Sequence, residues 1–223
     1  MDSREFQMRL TRRAKNAGVA LSLPLAKNLE TYFRLLSAWN RKMNLAGLEL
    51  SDPSPEALDR LLIEPLVAAR YVRPCDDRMV DLGSGGGSPA IPLALAAPNL
   101  RLTMVESRAR KAVFLKEAIR SIGMSAEVVT ARYEALLSMP GLQDAYDLVT
   151  IRAVKVGPAM LMTVGKLLGA KGRLFLFTRQ GTETAHIFSS QLTAVGDHPL
   201  IDSLHSRLVM LERRDDVPRE TSP

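Results

Sequence analysis

The chain has 223 residues, of which 46% are hydrophobic and 24% charged, as expected for a globular protein with one main domain and an extension. Its single cysteine, Cys75, excludes an intramolecular disulfide and is typical of a reducing compartment. With only three histidines beside it, we expect no metal site. No stretch has the length of a signal-peptide core or a membrane span, so we expect a cytoplasmic protein.

Helical periodicity dominates the first third of the chain. The predicted helices span 3–17, 23–44 and 56–72, and Pro65 is expected to kink or delay the third. We therefore predict an N-terminal helical extension over residues 1–75.

From Arg78 onward, strand and helix patterns alternate. The predicted strands span 78–82, 101–106, 126–130, 146–153, 172–178 and 207–213, and the predicted helices span 88–97, 108–122, 156–168 and 182–194. Such alternation is typical of an α/β fold with a doubly wound, mostly parallel sheet. We assign residues 76–214 to this domain and residues 215–223 to a frayed tail.

The stretch M-V-D-L-G-S-G-G-G-S-P-A-I-P-L-A-L at 79–95 is typical of a strand, a tight loop and a helix. The loop contains four glycines, Gly83, Gly85, Gly86 and Gly87. Glycines allow positive φ and let a ligand approach the backbone closely. Ser88 is predicted to cap the helix and Pro89 to be its first residue. Glu106 ends the next strand, where a doubly wound sheet binds ribose hydroxyls.

Two nucleotide-type ligands use this geometry, a dinucleotide and S-adenosylmethionine. A dinucleotide usually requires G-x-G-x-x-G, whereas the loop G-S-G-G-G-S has serine in place of the third glycine. Asp81 precedes the loop, and its charge is unfavourable beside a pyrophosphate but favourable near a cationic amino-acid moiety. The residues therefore favour S-adenosylmethionine.

Basic residues exceed acidic ones, 30 to 24, which gives a net charge of +6. They cluster at 9–15, 108–111 and 152–155. The second and third clusters follow predicted strands, at the end of the sheet where α/β proteins bind ligands. This balance permits a nucleic-acid partner.

Four motifs are the most specific parts of the sequence. They are W-N-R-K-M-N-L at 39–45, D-L-G-S-G-G-G-S-P-A-I-P-L at 81–93, V-E-S-R-A-R-K-A-V-F-L at 105–115 and I-R-A-V at 151–154. Along about its whole length, the chain resembles the bacterial ribosomal RNA small subunit methyltransferase G family, also called glucose-inhibited division protein B. The resemblance implies a class I, Rossmann-like, S-adenosylmethionine-dependent enzyme that methylates N7 of a guanine in 16S ribosomal RNA, as naked RNA or in the small ribosomal subunit.

The resemblance and the loop together define the expected site. The cofactor-binding residues are predicted to be Gly83, Gly85, Ser88, Glu106, Tyr133, Glu134 and Arg152. Tyr133 and Glu134 are expected to flank the adenine. Asn44 and Arg179 are the predicted substrate contacts, on the RNA side of the site.

The chain departs from the family pattern at a few positions. The family's R-H-L-L-D-S-L reads R-L-L-I-E-P-L at 60–66, so Leu61 replaces the histidine and Glu64-Pro65 replace Asp-Ser. Ala46 replaces a threonine, and T-R-Q-G at 178–181 has Thr178 or Arg179 where the family has lysine. These changes concern the RNA side of the site more than the cofactor side.

The chemistry implied by the resemblance needs no proton carrier. Guanine N7 has a lone pair and no proton, so we assign no catalytic acid or base. We expect catalysis by holding N7 in line with the methyl–sulfur bond of the cofactor, at a near-attack distance of about 3–3.5 Å. His186, His198 and His205 are expected to be surface or packing residues. Two alternatives remain open: a methyltransferase acting on a small molecule or a protein, and a non-enzymatic RNA-binding or assembly factor with the same fold.

Overall fold

Seven strands form one sheet at the centre of the fold. The computed structural model describes residues 1–154, 156–181 and 191–214. The strands are β1 (Arg78–Leu82), β2 (Arg101–Val105), β3 (Ala126–Val129), β4 (Tyr146–Arg152), β5 (Leu168–Arg179), β6 (Leu192–Pro199) and β7 (Ser206–Arg213). Their order is β3-β2-β1-β4-β5-β7-β6. Strands β1 to β5 are parallel, and β7 runs antiparallel to β5 and β6.

Helices precede the sheet and connect its strands. The α-helices are α1 (Ser3–Asn16), α2 (Leu23–Asn40), α3 (Pro55–Leu58), α4 (Glu64–Ala68), α5 (Ala90–Ala96), α6 (Ala109–Ser121) and α7 (Pro158–Leu167). A π-helical turn (Asp59–Ile63) joins α3 to α4, and 3₁₀ turns span Ala69–Tyr71, Tyr133–Ser138 and Asp202–Leu204. Within the described ranges, no helix is long and apolar enough to cross a membrane.

The strand order confirms the predicted doubly wound, mostly parallel α/β fold with helices at its N-terminus. Strands β1 and β4 are neighbours although two strands separate them along the chain. The connections after β1 and β4 therefore leave in opposite directions, which opens a crevice at the carboxyl ends of the two strands.

The first three helices of the extension begin at side chains that replace missing helical hydrogen-bond acceptors. Asp2, Ser22 and Ser54 each accept the backbone N–H of the residue three positions later. Proline stands in the first turn of α2 and α3, where its missing N–H costs no helical hydrogen bond.

Alternate residues of the central strands enter two apolar cores, one on each face of the sheet. Met79 and Leu148 lie in the first core, whereas their neighbours Val80 and Val149 lie in the second. This is the period of two that a strand imposes on its side chains. The first core also contains buried residues of the extension, such as Leu29. The extension therefore packs on one face of the sheet and shares its core.

The predicted helix over 23–44 ends earlier, at Asn40. The Asn40 side chain accepts the N–H groups of Leu45 and Ala46, at 2.8 and 3.0 Å, and donates to the carbonyl of Leu48 at 2.8 Å. These bonds stabilise a turn instead of a further helical turn.

The C-terminal part of the sheet was predicted least well. Residues 182–190 of the helix predicted over 182–194 lie outside the described residues, as does the predicted tail at 215–223. The end of that predicted helix is wrong, because Leu192 to Ala194 pair with β7 as part of β6. Strand β6 was missed because it contains Gly196 and Pro199 and is mostly exposed.

Strand β5 begins earlier than predicted, at Leu168 rather than residue 172. Helix α7 ends at Leu167, and the chain enters β5 at the next residue. Pairing of Leu168 with Tyr146 of β4 accounts for the difference.

Replacing Leu29 by alanine is expected to lower the free energy of unfolding by about 2–5 kcal/mol, because its side chain is fully buried in the first core. The fluorescence of Trp39, the only tryptophan, and far-ultraviolet circular dichroism should report one common transition. Leu23, which is 61% exposed on the same helix, provides the control, with an expected change within about 0.5 kcal/mol for Leu23→Ala. Two separate transitions would contradict a shared core.

Candidate active site

The glycine loop, which joins β1 to α5, lies at the carboxyl ends of the parallel strands. The N–H groups of Gly83 and Ser84 donate to the carbonyl of Val105, at 2.9 and 3.0 Å, so the loop is bound to the end of β2. Gly83 has a φ of +79°, and a Cβ at this position would lie 2.7 Å from the Val154 side chain. Glycine is therefore required here for both conformation and space.

Glu106 follows β2 and contacts the loop directly. Its Oε2 accepts the N–H of Gly85 at 2.9 Å, and its Oε1 accepts the N–H of Arg108 at 2.8 Å. Each carboxylate oxygen has a second lone pair, so Glu106 can also accept hydrogen bonds from a ligand. Glu106 thus shapes the loop as well, a role that the sequence analysis did not include.

Ser88 does not cap α5, so that prediction is wrong. The helix begins at Ala90, and its N-cap residue is Pro89, which makes no side-chain cap. The Ser88 hydroxyl instead donates to the carbonyl of Leu61 at 2.6 Å and accepts from the Arg152 guanidinium. The Ser88 hydroxyl, which was expected to cap α5, is therefore bound to the extension instead.

Pro65 explains why two backbone carbonyls of the extension lack helical hydrogen-bond donors. It has no N–H, so the carbonyl of Leu61, four residues earlier, lacks its helical donor. In the adjoining π-helical turn, the N–H of Glu64 donates to Asp59 and leaves the carbonyl of Arg60 without that partner. Two neighbouring carbonyls thus become free to bind the sheet domain.

Arg152, at the end of β4, uses these groups. Its guanidinium donates to the carbonyl of Arg60 at 2.6 Å, to the Ser88 hydroxyl, and to the carboxylate of Glu64 at 3.2 Å. It also lies over the Phe177 ring, 5.7 Å from the ring centroid. Burial raises the pKa of Glu64, and the charge of Arg152 opposes that rise. Arg152 therefore connects β4, the glycine loop and the extension.

A cavity of about 480 Å³ opens beside the glycine loop. It brings together all seven predicted cofactor-binding residues, namely Gly83, Gly85, Ser88, Glu106, Tyr133, Glu134 and Arg152. Its volume lies within the range of small-molecule sites, about 300–1,000 Å³. That these residues bind a cofactor stays a prediction.

One wall of the cavity comes from the helical extension, which the sequence analysis did not place there. The residues concerned are Leu36, Leu45, Ala46, Arg60 and Leu61. The sequence feature that pointed to these residues was their place in two family motifs, at 39–45 and 60–66, which include most of them. Periodicity alone could not show that they meet the glycine loop.

The two predicted substrate contacts do not line the cavity. Asn44 is exposed, and its side chain accepts the N–H of Gly47 at 2.7 Å within the turn after α2. Arg179, at the end of β5, is exposed and lies 4.0 Å from the Glu56 carboxylate. Contact of either residue with a substrate stays a prediction.

Asp81 does not line the cavity, and its expected proximity to a cationic moiety stays a prediction. It is 1% exposed and accepts the Thr150 hydroxyl at 2.5 Å from the neighbouring strand. Burial raises the pKa of this carboxyl, and the Thr150 hydroxyl opposes that rise. Asp81 therefore braces β1 against β4 beneath the loop.

The histidines that the structure describes lie away from the cavity lining. His198 stacks on Tyr71 with ring centroids 4.4 Å apart, and His205 occupies the turn before β7. His186 and Lys155 lie outside the described residues. Across the described ranges, no group of three or more His, Cys, Asp or Glu side chains could hold a metal ion.

Comparisons with known proteins agree with this geometry. The family model described as rRNA small subunit methyltransferase G matches residues 25–194. A ribosomal RNA small subunit methyltransferase G from Stenotrophomonas maltophilia is 39% identical over 70% of this chain and 73% of its own length. One from Rubrobacter xylanophilus is 33% identical over 90% of this chain and 81% of its own length.

Solved structures support the fold. A TehB-like S-adenosylmethionine-dependent methyltransferase from Corynebacterium glutamicum has a TM-score of 0.56 at 13% identity, over 81% of this chain and 98% of its own. A predicted O-methyltransferase from Agrobacterium tumefaciens has a TM-score of 0.53 at 19% identity, over 70% of this chain and 82% of its own.

The sheet order and the cavity at the glycine loop, together with the family match, identify a class I S-adenosylmethionine-dependent methyltransferase. The family match spans most of the extension and most of the sheet domain. The chain belongs to the rRNA small subunit methyltransferase G family.

Replacing Gly85 by alanine tests whether the loop binds the cofactor. A Cβ at Gly85 would meet only the carbonyl of Gly83, at 3.7 Å, so the new methyl group would occupy cavity space. We expect the affinity for S-adenosylmethionine, measured by calorimetry, to fall by about tenfold or more.

Gly123→Ala is the matched control for this substitution. Gly123 also has positive φ, +64° against +52°, and no heavy atom lies within 4 Å of a Cβ built there. Both variants should lose about 1–2 kcal/mol of stability through backbone strain. Equal cofactor affinity in the two folded variants would contradict binding at the loop.

Proposed function

We propose that this chain transfers the methyl group of S-adenosylmethionine to N7 of a guanine in 16S ribosomal RNA. The observation that carries the proposal is one cavity, at the β1/β4 crevice, that contains all seven residues predicted for the cofactor. Membership of the rRNA small subunit methyltransferase G family supplies the substrate. A cytoplasmic location follows from that substrate.

The lining of the cavity fits S-adenosylmethionine. Gly85 exposes backbone to the cavity with no side chain in the way, as a closely approaching ligand requires. Glu106 follows the second strand and retains acceptor capacity for ribose hydroxyls. Tyr133 and Glu134 line the far side, in the segment after β3, where the adenine would lie.

Charge around the cavity favours a polyanionic substrate over a small neutral one. Basic residues outnumber acidic ones among those that line it, with Arg60, Arg108, Lys111, Arg132 and Arg152 against Glu106 and Glu134. Arg152 is paired with Glu64, but the others remain available to RNA phosphates. Asn44 and Arg179, outside the lining, would contact RNA beyond the target base.

The chain's own residues would act by binding and alignment. When bound, S-adenosylmethionine supplies a methyl group on a positively charged sulfur. Guanine N7 attacks without losing a proton, so the protein has to hold the base in line and exclude water. Consistent with this, the described cavity lining contains no histidine or cysteine, and both oxygens of Glu106 accept backbone N–H groups.

Mapping N7-methylguanine in 16S ribosomal RNA tests the proposal. RNA from cells that lack this protein should have lost one N7-methylguanine, and the wild-type gene should restore it. The Gly85→Ala variant should fail to restore it, whereas Gly123→Ala should succeed. An unchanged set of methylated guanines would contradict the proposed substrate, and purified protein that binds no S-adenosylmethionine would favour the non-enzymatic assembly factor.

The single-turnover rate at saturating substrates should be nearly flat from about pH 6 to about pH 9, because no side chain has to lose a proton. Alanine substitutions of His198 and His205, both outside the cavity lining, should change this rate little. A general base typically contributes about 10²–10⁴-fold. A rate that rises tenfold per pH unit would instead indicate a proton-bearing nitrogen or oxygen as the target.

A further inference from the structure

The tip of the glycine loop, Gly85–Gly86, is held at both ends by side chains from different parts of the chain. On the sheet side, the N–H of Gly85 donates to Glu106 at 2.9 Å. On the extension side, the carbonyl of Gly86 accepts the hydroxyl of Tyr32 at 2.6 Å. Tyr32 belongs to α2, so the bond joins residues 54 positions apart along the chain.

The extension packs closely against this tip. A Cβ at Gly86 would lie 3.2 Å from the Leu36 side chain and 3.2 Å from the carbonyl of Leu45. Tyr32 is fully buried. Burial raises its pKa, so the hydroxyl remains a protonated donor at physiological pH. The Gly86 carbonyl therefore faces one buried donor in a tightly packed contact.

Tyr32 itself does not line the cavity, whereas Gly85 and Gly86 both do. We infer that Tyr32 is a positioning residue for the cofactor site, acting through the Gly86 carbonyl on the shape of the loop tip. The inference rests on the proposed function, in which S-adenosylmethionine binds against this loop. It gives α2 of the helical extension a part in cofactor binding that acts through the loop.

Removal of the Tyr32 hydroxyl would leave the Gly86 carbonyl without its donor, and an unsatisfied buried acceptor is unfavourable. Leu36 and the Leu45 carbonyl already pack closely against Gly86 on the extension side. Gly86 lines the cavity, so its carbonyl would regain a partner by turning toward water on that side. That rotation would change the backbone surface on which the cofactor lies.

Tyr32→Phe tests this with the smallest possible change. We expect the dissociation constant for S-adenosylmethionine, measured by calorimetry on the full chain, to rise about tenfold, which corresponds to about 1.4 kcal/mol. The KM for S-adenosylmethionine should rise in parallel, while kcat at saturating cofactor should stay within about twofold of wild type.

Tyr146→Phe is the matched control. Tyr146 is 1% exposed in the second core, and its hydroxyl has no hydrogen-bond partner among the described residues. This variant also removes one buried tyrosine hydroxyl, but it breaks no bond to the loop. Its dissociation constant should stay within about twofold of wild type.

The outcomes separate this inference from the proposed function. Tight binding by wild type together with an unchanged dissociation constant in Tyr32→Phe would overturn the inference alone, even if the melting temperature fell. A similar loss of affinity in Tyr32→Phe and Tyr146→Phe would also overturn it, because a general effect on the fold would then suffice. Wild-type protein that binds no S-adenosylmethionine would overturn the proposed function and this inference with it.

Discussion

Hydrogen bonds between the N-terminal extension and the glycine loop are the interaction on which the rest of the site depends. The loop leaves β1 in conformations that glycine permits, and two of its polar groups have partners in the extension. Tyr32 binds the Gly86 carbonyl, and Ser88 binds the Leu61 carbonyl. Arg152 then connects the same segment of the extension to β4. The extension therefore forms one wall of the cavity and also holds the glycine loop in place.

Pro65 shows how one residue of the extension supports these contacts. Proline in a helix removes a hydrogen bond, which normally destabilises the chain by about 3 kcal/mol or more. Here the freed carbonyls of Arg60 and Leu61 bind the Arg152 guanidinium and the Ser88 hydroxyl. Pro65 is one of the positions at which the sequence analysis expected a departure from the family pattern, and here it leaves two carbonyls free to bind the loop and β4.

Local sequence features predicted the fold, because strand periodicity, glycine loops and helix starts each depend on residues close together in the chain. They also placed Glu106 and Gly85 in one cavity. What they missed depends on distant partners. Ser88 has every local feature of a helix cap, but a carbonyl 27 residues earlier takes its hydroxyl. Tyr32 lies within the helix predicted over 23–44, and nothing nearby in the chain indicated that its hydroxyl binds the loop. Strand β6 is defined by its pairing with β7.

A crystal structure of the complex with S-adenosylhomocysteine would test the central claim most directly. The ribose hydroxyls should lie within hydrogen-bond distance of Glu106, with the adenine beside Tyr133 and Glu134. The Gly86 carbonyl should still accept the Tyr32 hydroxyl, because the extension holds the loop in its binding conformation. A ligand bound elsewhere, or a loop that breaks its bond to Tyr32 on binding, would contradict the account.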